Sequence, residues 1–405
     1  MSVEIRTLSP EEMPQFMDLL SYAFVNNSQL AARGEDDDPP ILPEWSTCAI
    51  VGGRLATSFA AFPFRVRLNG RSTAMAGVTM VSTNPEFRRR GLLRSVMTQA
   101  LAEQRERGQA IAILWASMGA IYQRFGFGSA TTHVSYDADR TQLAFNRGEP
   151  APGRVQLLRL AEARPILEAV YKEFSAPRNL MIQRARAMWD IRFRDTPERR
   201  NHFGVYFDQA DVPKGYVQLQ STTEPVERGL NQVLNITDLI ALDGQAYKGI
   251  WEFLAAHDLV YRVRWDRVPE DDPAPLLLQE PRQLGRRTRD GVWMRITDVE
   301  SALQQRRYGD SGVLTVAVRD ELCPWNAGTY AIDAGGDEAA VSRVPSSTDV
   351  DLTVDAAALA VLVSGHRSAT LLQRAGLIDA AGPASLRLAD RLFATDHAPW
   401  CADGF

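Results

Sequence analysis

A chain of 405 residues, 45% of them hydrophobic, is too long for one ordinary core and reads as a multidomain globular protein. Its 45 basic and 50 acidic residues are well mixed and leave a net charge of −5, which argues against nucleic acid or an anionic membrane as a partner. Cys48, Cys323 and Cys401 are far apart, odd in number and without CxxC spacing, so neither a disulfide framework nor a zinc site is expected. The N-terminus has no basic-then-apolar leader and no run approaches membrane-spanning length, so a cytoplasmic protein is expected.

The first 150 residues alternate strand-like and helix-like text. After "VEIRTL", Ser9-Pro10-Glu11-Glu12 forms a capping box with Pro at the first helical position, predicting a helix to about Phe24. Beyond the polar "ARGEDDDPP" come "TCAIVGG", "RLATSFAAFPFRVRLNG" and "RSTAMAGVTMVST", an antiparallel meander with a tight hairpin at Asn69-Gly70. Leu92, Leu93, Val96, Met97, Ala100 and Leu101 then share one helical face. The pattern fades at Gly108, and "AIAILWAS" follows as a buried strand, completing a βαβ crossover.

Two Pro-rich joins, "NRGEPAPGR" and "PEDDPAPLLLQEPRQLGRR", divide the chain into three segments. The second faintly echoes the first: a helix in "AEARPILEAVYKEF", strands at "HFGVYFD" and "GYVQLQ", then "VLNITDLIAL" leading into "GQAYKGIWEFLAAH". In the third, from about Gly291, "GVLTVAVRD" is strand-like, while the run 355–365 reads equally well as strand or helix.

The stretch that carries chemistry is "VSTNPEFRRRGLLRSVMTQAL", residues 81–101. A strand ends at Pro85, three arginines precede Gly91, and a helix starts there; its free amides and dipole, beside guanidiniums, make a site for a pyrophosphate. For the arginines alone, a solvated basic helix start is the ordinary alternative. After the next strand comes "ASMGAIYQRFGFGSAT". With these two motifs the first segment resembles a GNAT-type acyl-CoA-dependent N-acyltransferase, although Leu93 stands where the general pattern has a small residue. "RRRGLL" followed by "IYQRFGFG" is similar to the Eis subfamily, the multi-acetylating aminoglycoside acetyltransferases of actinobacteria. "RNLMIQRARAMWDIRFRD" and "LCPWNAGTYAI" extend the likeness along the whole chain.

The resemblance implies a mixed α/β architecture of two tandem GNAT folds and a C-terminal sterol-carrier-like α+β domain. The ranges are 1–150 for the catalytic domain, 151–287 for a GNAT-like domain without coenzyme, and 288–405 for the third. Asp243 stands in the second segment where the first has its arginines, and it should repel a pyrophosphate.

By the same resemblance acetyl-CoA is the cosubstrate. Its coenzyme moiety would lie on Val81, Ser82 and Thr83, its pyrophosphate on Arg89, Arg90, Gly91, Leu92, Leu93 and Arg94, and its pantetheine arm beside Ser117 and Met118. Tyr122 is implied as the general acid for the departing thiolate; a phenol near pKa ~10 keeps its proton at pH 7. No His, Asp or Glu stands in a motif that singles out a base, and GxSxG, HExxH and metal-ligand pairs are lacking, so no metal is expected. The family's solution is the C-terminal carboxylate, here that of Phe405. An exposed α-carboxyl titrates near ~3.5, so burial would have to raise it or water would relay the proton.

A polycationic amine calls for acidic walls, and Glu35, Asp36, Asp37, Asp38 and Asp403 are the candidates, with Phe24 and Trp45 as flat surfaces for sugar rings. The expected function is N-acetylation of aminoglycosides or related polyamines by a homohexamer of paired trimers. Acetylation of protein lysines or a peptide antibiotic is the alternative acceptor chemistry, and a lipid-binding protein on a GNAT scaffold is the alternative class.

Overall fold

The computed structural model describes residues 2–24, 41–146, 148–196, 199–225, 229, 231–335 and 339–405. Strand β1 (Val3–Arg6) runs into the expected capping box, in which the Ser9 amide donates to Glu12 Oε2 at 2.9 Å. One tight turn, Pro10–Glu12, then feeds the helix Met13–Ala23, which buries Met13, Phe16, Leu19 and Leu20. Strands β2 (Cys48–Val51), β3 (Arg54–Leu68) and β4 (Arg71–Thr83) form the antiparallel meander. Its hairpin turns at Asn69 and Gly70, both with positive φ. The helix Leu92–Glu106 buries Leu92, Val96, Met97, Ala100 and Leu101, as their spacing predicts, and returns the chain to β5 (Ile111–Trp115), parallel to β4.

The next strands are β6 (Gly128–Ser129), β7 (Thr132–Asp139), β8 (Arg154–Leu158), β9 (Asn201–Phe207), β10 (Pro213–Thr223), β11 (Gln232–Ala241), β12 (Val260–Val268), β13 (Arg287–Asp290) and β14 (Val292–Ile296). They complete two seven-stranded sheets, ordered β1-β2-β3-β4-β5-β14-β6 and β13-β7-β12-β11-β10-β9-β8. In each sheet one parallel pair is bridged by a helix: β4 and β5 by Leu92–Glu106, β11 and β12 by Gly244–Ala255. What reads as a faint echo in the sequence is therefore a repeated topology.

The expected boundaries at 150/151 and 287/288 do not divide these sheets. β7, before the first boundary, pairs with β12 and β13 in the second sheet; β14, after the second boundary, sits between β5 and β6 in the first. The physical reason lies in the composition of β14. All five of its residues are buried, the pattern of an inner strand covered on both faces, and it occupies the edge that β5 would otherwise leave unpaired.

Strands β15 (Ser311–Arg319), β16 (Gly328–Gly335), β17 (Ala339–Val344), β18 (Leu352–Asp355) and β19 (Ile378–Ala380) form a third sheet, ordered β17-β16-β15-β18-β19. The ambiguous apolar run is a helix, Ala356–Ser364: Asp355 caps it by accepting from the Ala358 amide at 2.7 Å, and Gly365 ends it at φ 70°. All of the helix but half-buried Ala357 is buried because it packs against β14 and β6 as well as its own sheet, so one core joins the first and third segments. Gly126 and Gly128 of "FGFG" lie under it. A Cβ at Gly128 would stand 2.3 Å from the Ala357 carbonyl. Among the described residues no helix is long and apolar enough to cross a membrane.

If β14 is an inner strand of the first sheet, truncating its fully buried Met294 to Ala should cost about 2–5 kcal/mol of unfolding free energy. Thr288→Ala, on the exposed edge strand β13, should stay within about 0.5 kcal/mol. Denaturant titration measures both, and a Met294→Ala variant as stable as the parent would contradict the placement.

Candidate active site

Strands β4 and β5 pair at only three positions, from Met75↔Ile111 to Gly77↔Ile113. Beyond them the strands part, and β4 continues to Thr83 paired only with β3. Its register shifts between Ser58 and Ala60, with Met80 at φ 54°, so the strand bulges on its way out. The edge of β4 that faces the fork is a row of backbone groups that β5 does not satisfy, suited to an extended amide-bearing ligand. Val81, Ser82 and Thr83 lie there, half-buried.

At the mouth of the fork the chain turns through Asn84, whose side chain accepts from the Glu86 amide at 3.4 Å, into Arg88, Arg89 and Arg90. Arg89 has φ 62° and Gly91 φ 78°, and Gly91 caps the helix Leu92–Glu106 with no side chain over its end. The first-turn amides are thus left to an outside acceptor. Arg88 and Arg90 are tied back to the Thr83 and Glu86 carbonyls, and Arg90 also lies over Phe87. Arg89 and Arg94 are exposed and make no ion pair among the described residues. Leu92 is buried and Leu93 half-buried beneath this surface, which is why a leucine suits position 93 here: it packs against the core of the first sheet. Exposed amides beside free guanidiniums are a receptor for an anionic group.

Past the end of β5, Ser117 and Met118 are exposed, and the short helix Gly119–Gln123 presents Tyr122. Its ring is 7% exposed and meets the edge of Phe127 at 5.9 Å; burial pushes its hydroxyl pKa above the usual 10. The helix is set by Trp293 of β14, whose ring lies so close to Gly119 that a Cβ there would stand 2.5 Å away. Trp293 is in turn held by Asp290 at 2.7 Å.

The end of the chain is built into the molecule. The Ala398 amide donates to Asp271, the Trp400 amide to the Asn179 carbonyl, and the Trp400 indole to the Arg267 carbonyl, all within 3.0 Å. Asp403 is 3% exposed. Its carboxylate accepts from Arg184 Nε at 2.9 Å and Arg192 Nη1 at 3.1 Å, and its carbonyl accepts from the Trp115 indole at 3.0 Å. Phe405, half-buried, sets its ring edge-on to Phe64 at 5.3 Å and against Gly77, where even a Cβ would approach it to 3.3 Å. The tail therefore enters the fork at its vertex.

Asp403, expected as an acidic wall for substrate, is instead enclosed by two arginines. They also bind Asp238: Arg184 at 2.6 Å and Arg192 at 3.3 Å. Burial alone would raise the Asp238 carboxyl, but these guanidiniums and the Tyr216 hydroxyl overcome it and hold it at about 2. Glu35, Asp36, Asp37 and Asp38 lie outside the described residues. Phe24 and Trp45 are both half-buried in the cluster that includes Phe62 and Met80. Trp45, Phe62, Phe64 and Phe405 form a continuous file of ring contacts at 6.0, 5.4 and 5.3 Å. Sequence reasoning missed Phe62, Phe64, Trp115, Arg184 and Arg192. Alternation along β3 signals Phe62 and Phe64; Arg184 and Arg192 lie in "RNLMIQRARAMWDIRFRD", which carries the family likeness without assigning them a role, and nothing local marks Trp115.

The second fork is narrowed by the tail but keeps a cavity of about 240 Å³ lined by Leu239, Ala241, Asp243, Gly244, Trp265 and Trp400. β11 and β12 pair only as far as Ile236↔Trp265, and Trp400 bonds to Arg267 just beyond. Asp243 caps the helix Gly244–Ala255, accepting from the Ala246 amide at 2.8 Å, so its own carboxylate takes the place an anion would need.

Three family models match the chain: an acetyltransferase (GNAT) domain at residues 4–130, another at 180–296, and a sterol carrier protein domain at 299–402. An uncharacterized N-acetyltransferase of Streptomyces avermitilis is 30% identical over the full length of both chains. The N-acetyltransferase Eis of Mycobacterium tuberculosis is 30% identical over 79% of this chain and 78% of its own. The crystal structure of Eis1 from Mycobacterium abscessus superposes over the whole of both chains with a TM-score of 0.83 at 28% identity.

Folding lowers the Asp238 pKa, so the unfolded chain takes up the proton first as pH falls. The stability contributed by that carboxylate is in place above its ordinary 3.8 and is lost toward pH 2. Denaturant titrations should show the parent losing about 2 kcal/mol more than Asp238→Asn across that window. Parallel curves would remove the assigned role of Asp238.

Proposed function

The chain belongs to the Eis-like GNAT N-acetyltransferases, and we propose that it acetylates amines of aminoglycosides or related polycationic amines, with Tyr122 as general acid and the Phe405 carboxylate as general base. The observation that carries this reading is the last residue lodged against Gly77 at the vertex of the fork, with the Trp115 indole at the end of β5 donating to the Asp403 carbonyl.

Acetyl-CoA, when bound, supplies an activated acyl thioester. The features that fit it are the uncapped first turn at Gly91, the exposed Arg89 and Arg94, and the unpaired edge of β4. Arg89, Arg90, Arg94 and the amides of residues 91–93 would hold the pyrophosphate. Val81, Ser82 and Thr83 would align the pantetheine arm, flanked by Ser117 and Met118. Tyr122 holds a proton at Oη, and burial keeps it there at neutral pH, available to a leaving thiolate. The Phe405 carboxylate takes a proton from the acceptor amine. The file Trp45–Phe62–Phe64–Phe405 offers flat faces for the ring that bears that amine.

A lipid-binding role for the third domain gains no support from the helix Ala356–Ser364, which is packed between its own sheet and the first. From the family resemblance we also place the enzyme in the cytoplasm as a homohexamer of paired trimers, an assembly that sedimentation measures.

Thiol release from acetyl-CoA, followed with a panel of amines, tests the mechanism. Tyr122→Phe should lower kcat about a hundredfold. Arg89→Ala should raise the acetyl-CoA KM about tenfold, the worth of one charge-assisted hydrogen bond. A C-terminal affinity tag should silence the enzyme while an N-terminal tag leaves it active. An enzyme that tolerates a C-terminal extension would sink the carboxylate-base assignment.

A further inference from the structure

We infer that the second GNAT-like domain is the receptor that positions the catalytic C-terminus, and that Arg184 and Arg192 are its positioning residues, acting through Asp403. The inference rests on the reading of the Phe405 carboxylate as the base and asks what holds it in place.

Two observations carry it. The first is the path of the tail. Trp400 and Ala402 belong to the core of the second domain, whereas Cys401 and Phe405 pack with the first and third. Within six residues the chain passes from the fork of the second sheet, where Trp400 bonds to Arg267, to the vertex of the fork in the first. Trp400, on the segment that ends at the first sheet's fork, thus lines the cavity in the second.

The second is the clamp between these two ends. Arg184 has no exposed side-chain surface; it lies over Tyr171 at 3.8 Å and Trp189 at 4.7 Å, and it bridges Asp238 and Asp403. Arg192 joins the same two carboxylates and also donates to the Thr237 carbonyl at 2.7 Å. The Tyr171 hydroxyl reaches Asp403 at 3.4 Å. Two arginines face two aspartates, so the buried charge balances, and the guanidinium forks fix direction as well as distance. Gly404 alone separates the clamped Asp403 from the last residue, and Arg267 lies close against it, so the carboxylate's reach is set within one residue of a rigid anchor. Catalytic groups misplaced by about 1 Å lose rate by about a hundredfold while leaving distant binding intact.

The full-length enzyme is assayed with acetyl-CoA and a productive amine as four proteins: parent, Asp403→Asn, Arg192→Lys and a chain lacking Phe405. Asp403→Asn should lower kcat about a hundredfold, toward the truncated chain, with the acetyl-CoA KM within about twofold of the parent. Added formate should restore part of the rate to both, because each lacks a placed base; a merely structural lesion would not respond. Arg192→Lys keeps its charge and the Arg184 contacts, and should lose about tenfold in kcat. It decides the matter if calorimetry shows that Asp403→Asn does not fold. A truncated chain that is slow beside Asp403→Asn and Arg192→Lys variants that turn over like the parent would overturn the clamp and leave the base assignment standing. A truncated chain as fast as the parent would overturn the base assignment itself.

Discussion

Beyond Gly77 and Ile113 the parallel strands β4 and β5 separate, and the unpaired backbone this leaves is the constraint around which the rest is arranged. A sheet does not leave a ladder open at its centre without a partner for it. One side of the opening leads to a helix start with free amides and free guanidiniums, which suits an anionic, amide-bearing cosubstrate. The vertex receives the end of the chain itself. In the second sheet the same topology produces the same opening, and there Trp400 lines it while Asp243 caps the helix start with its own carboxylate.

Fixing a chain terminus inside a fold is demanding, because a terminus has only one covalent tether and frays unless its surroundings hold it. Here the holding is directional. Apolar contacts at Trp400 and Phe405 supply burial, but apolar surfaces slide past one another; the guanidinium forks of Arg184 and Arg192 on Asp403 do not. The same device recurs where the third segment meets the first. Arg295 of β14 is buried against Asp320 at 2.6 Å. Within the third segment itself, fully buried Arg306 donates to the carbonyls of Val363, Leu392 and Phe393 at the ends of two helices, and burial lowers its pKa to about 10. The third segment is thus tied to the second domain and to β14 of the first sheet by buried arginines whose bonds have direction.

The glycines of the motifs acquire distinct reasons in the folded chain. Gly91 is needed for its left-handed backbone at a helix start. Gly128 is needed because a helix from more than two hundred residues further on lies against it. Gly77 leaves room for Phe64 and for the last ring of the chain. Only the first of these reasons is local.

That distinction separates what the sequence by itself determined from what required the tertiary structure. The helix Leu92–Glu106, the turn at Asn69 and Gly70, the capping box at Ser9 and the arginine loop were legible because each is a matter of spacing, φ or capping among near neighbours. Tyr122 and Phe405 were legible as candidates through the family's motifs. Three outcomes were not legible: the exchange of β7 and β14 between sheets, the helical state of Ala356–Ser364, and the enclosure of Asp403 by Arg184 and Arg192. Each depends on which surface an element meets after the chain has crossed from one segment to another. Asp403 reads as an exposed acid beside a substrate site, and only the arrival of two arginines some two hundred residues away in the chain makes it an anchor, because a carboxylate's role is set by the charges brought against it.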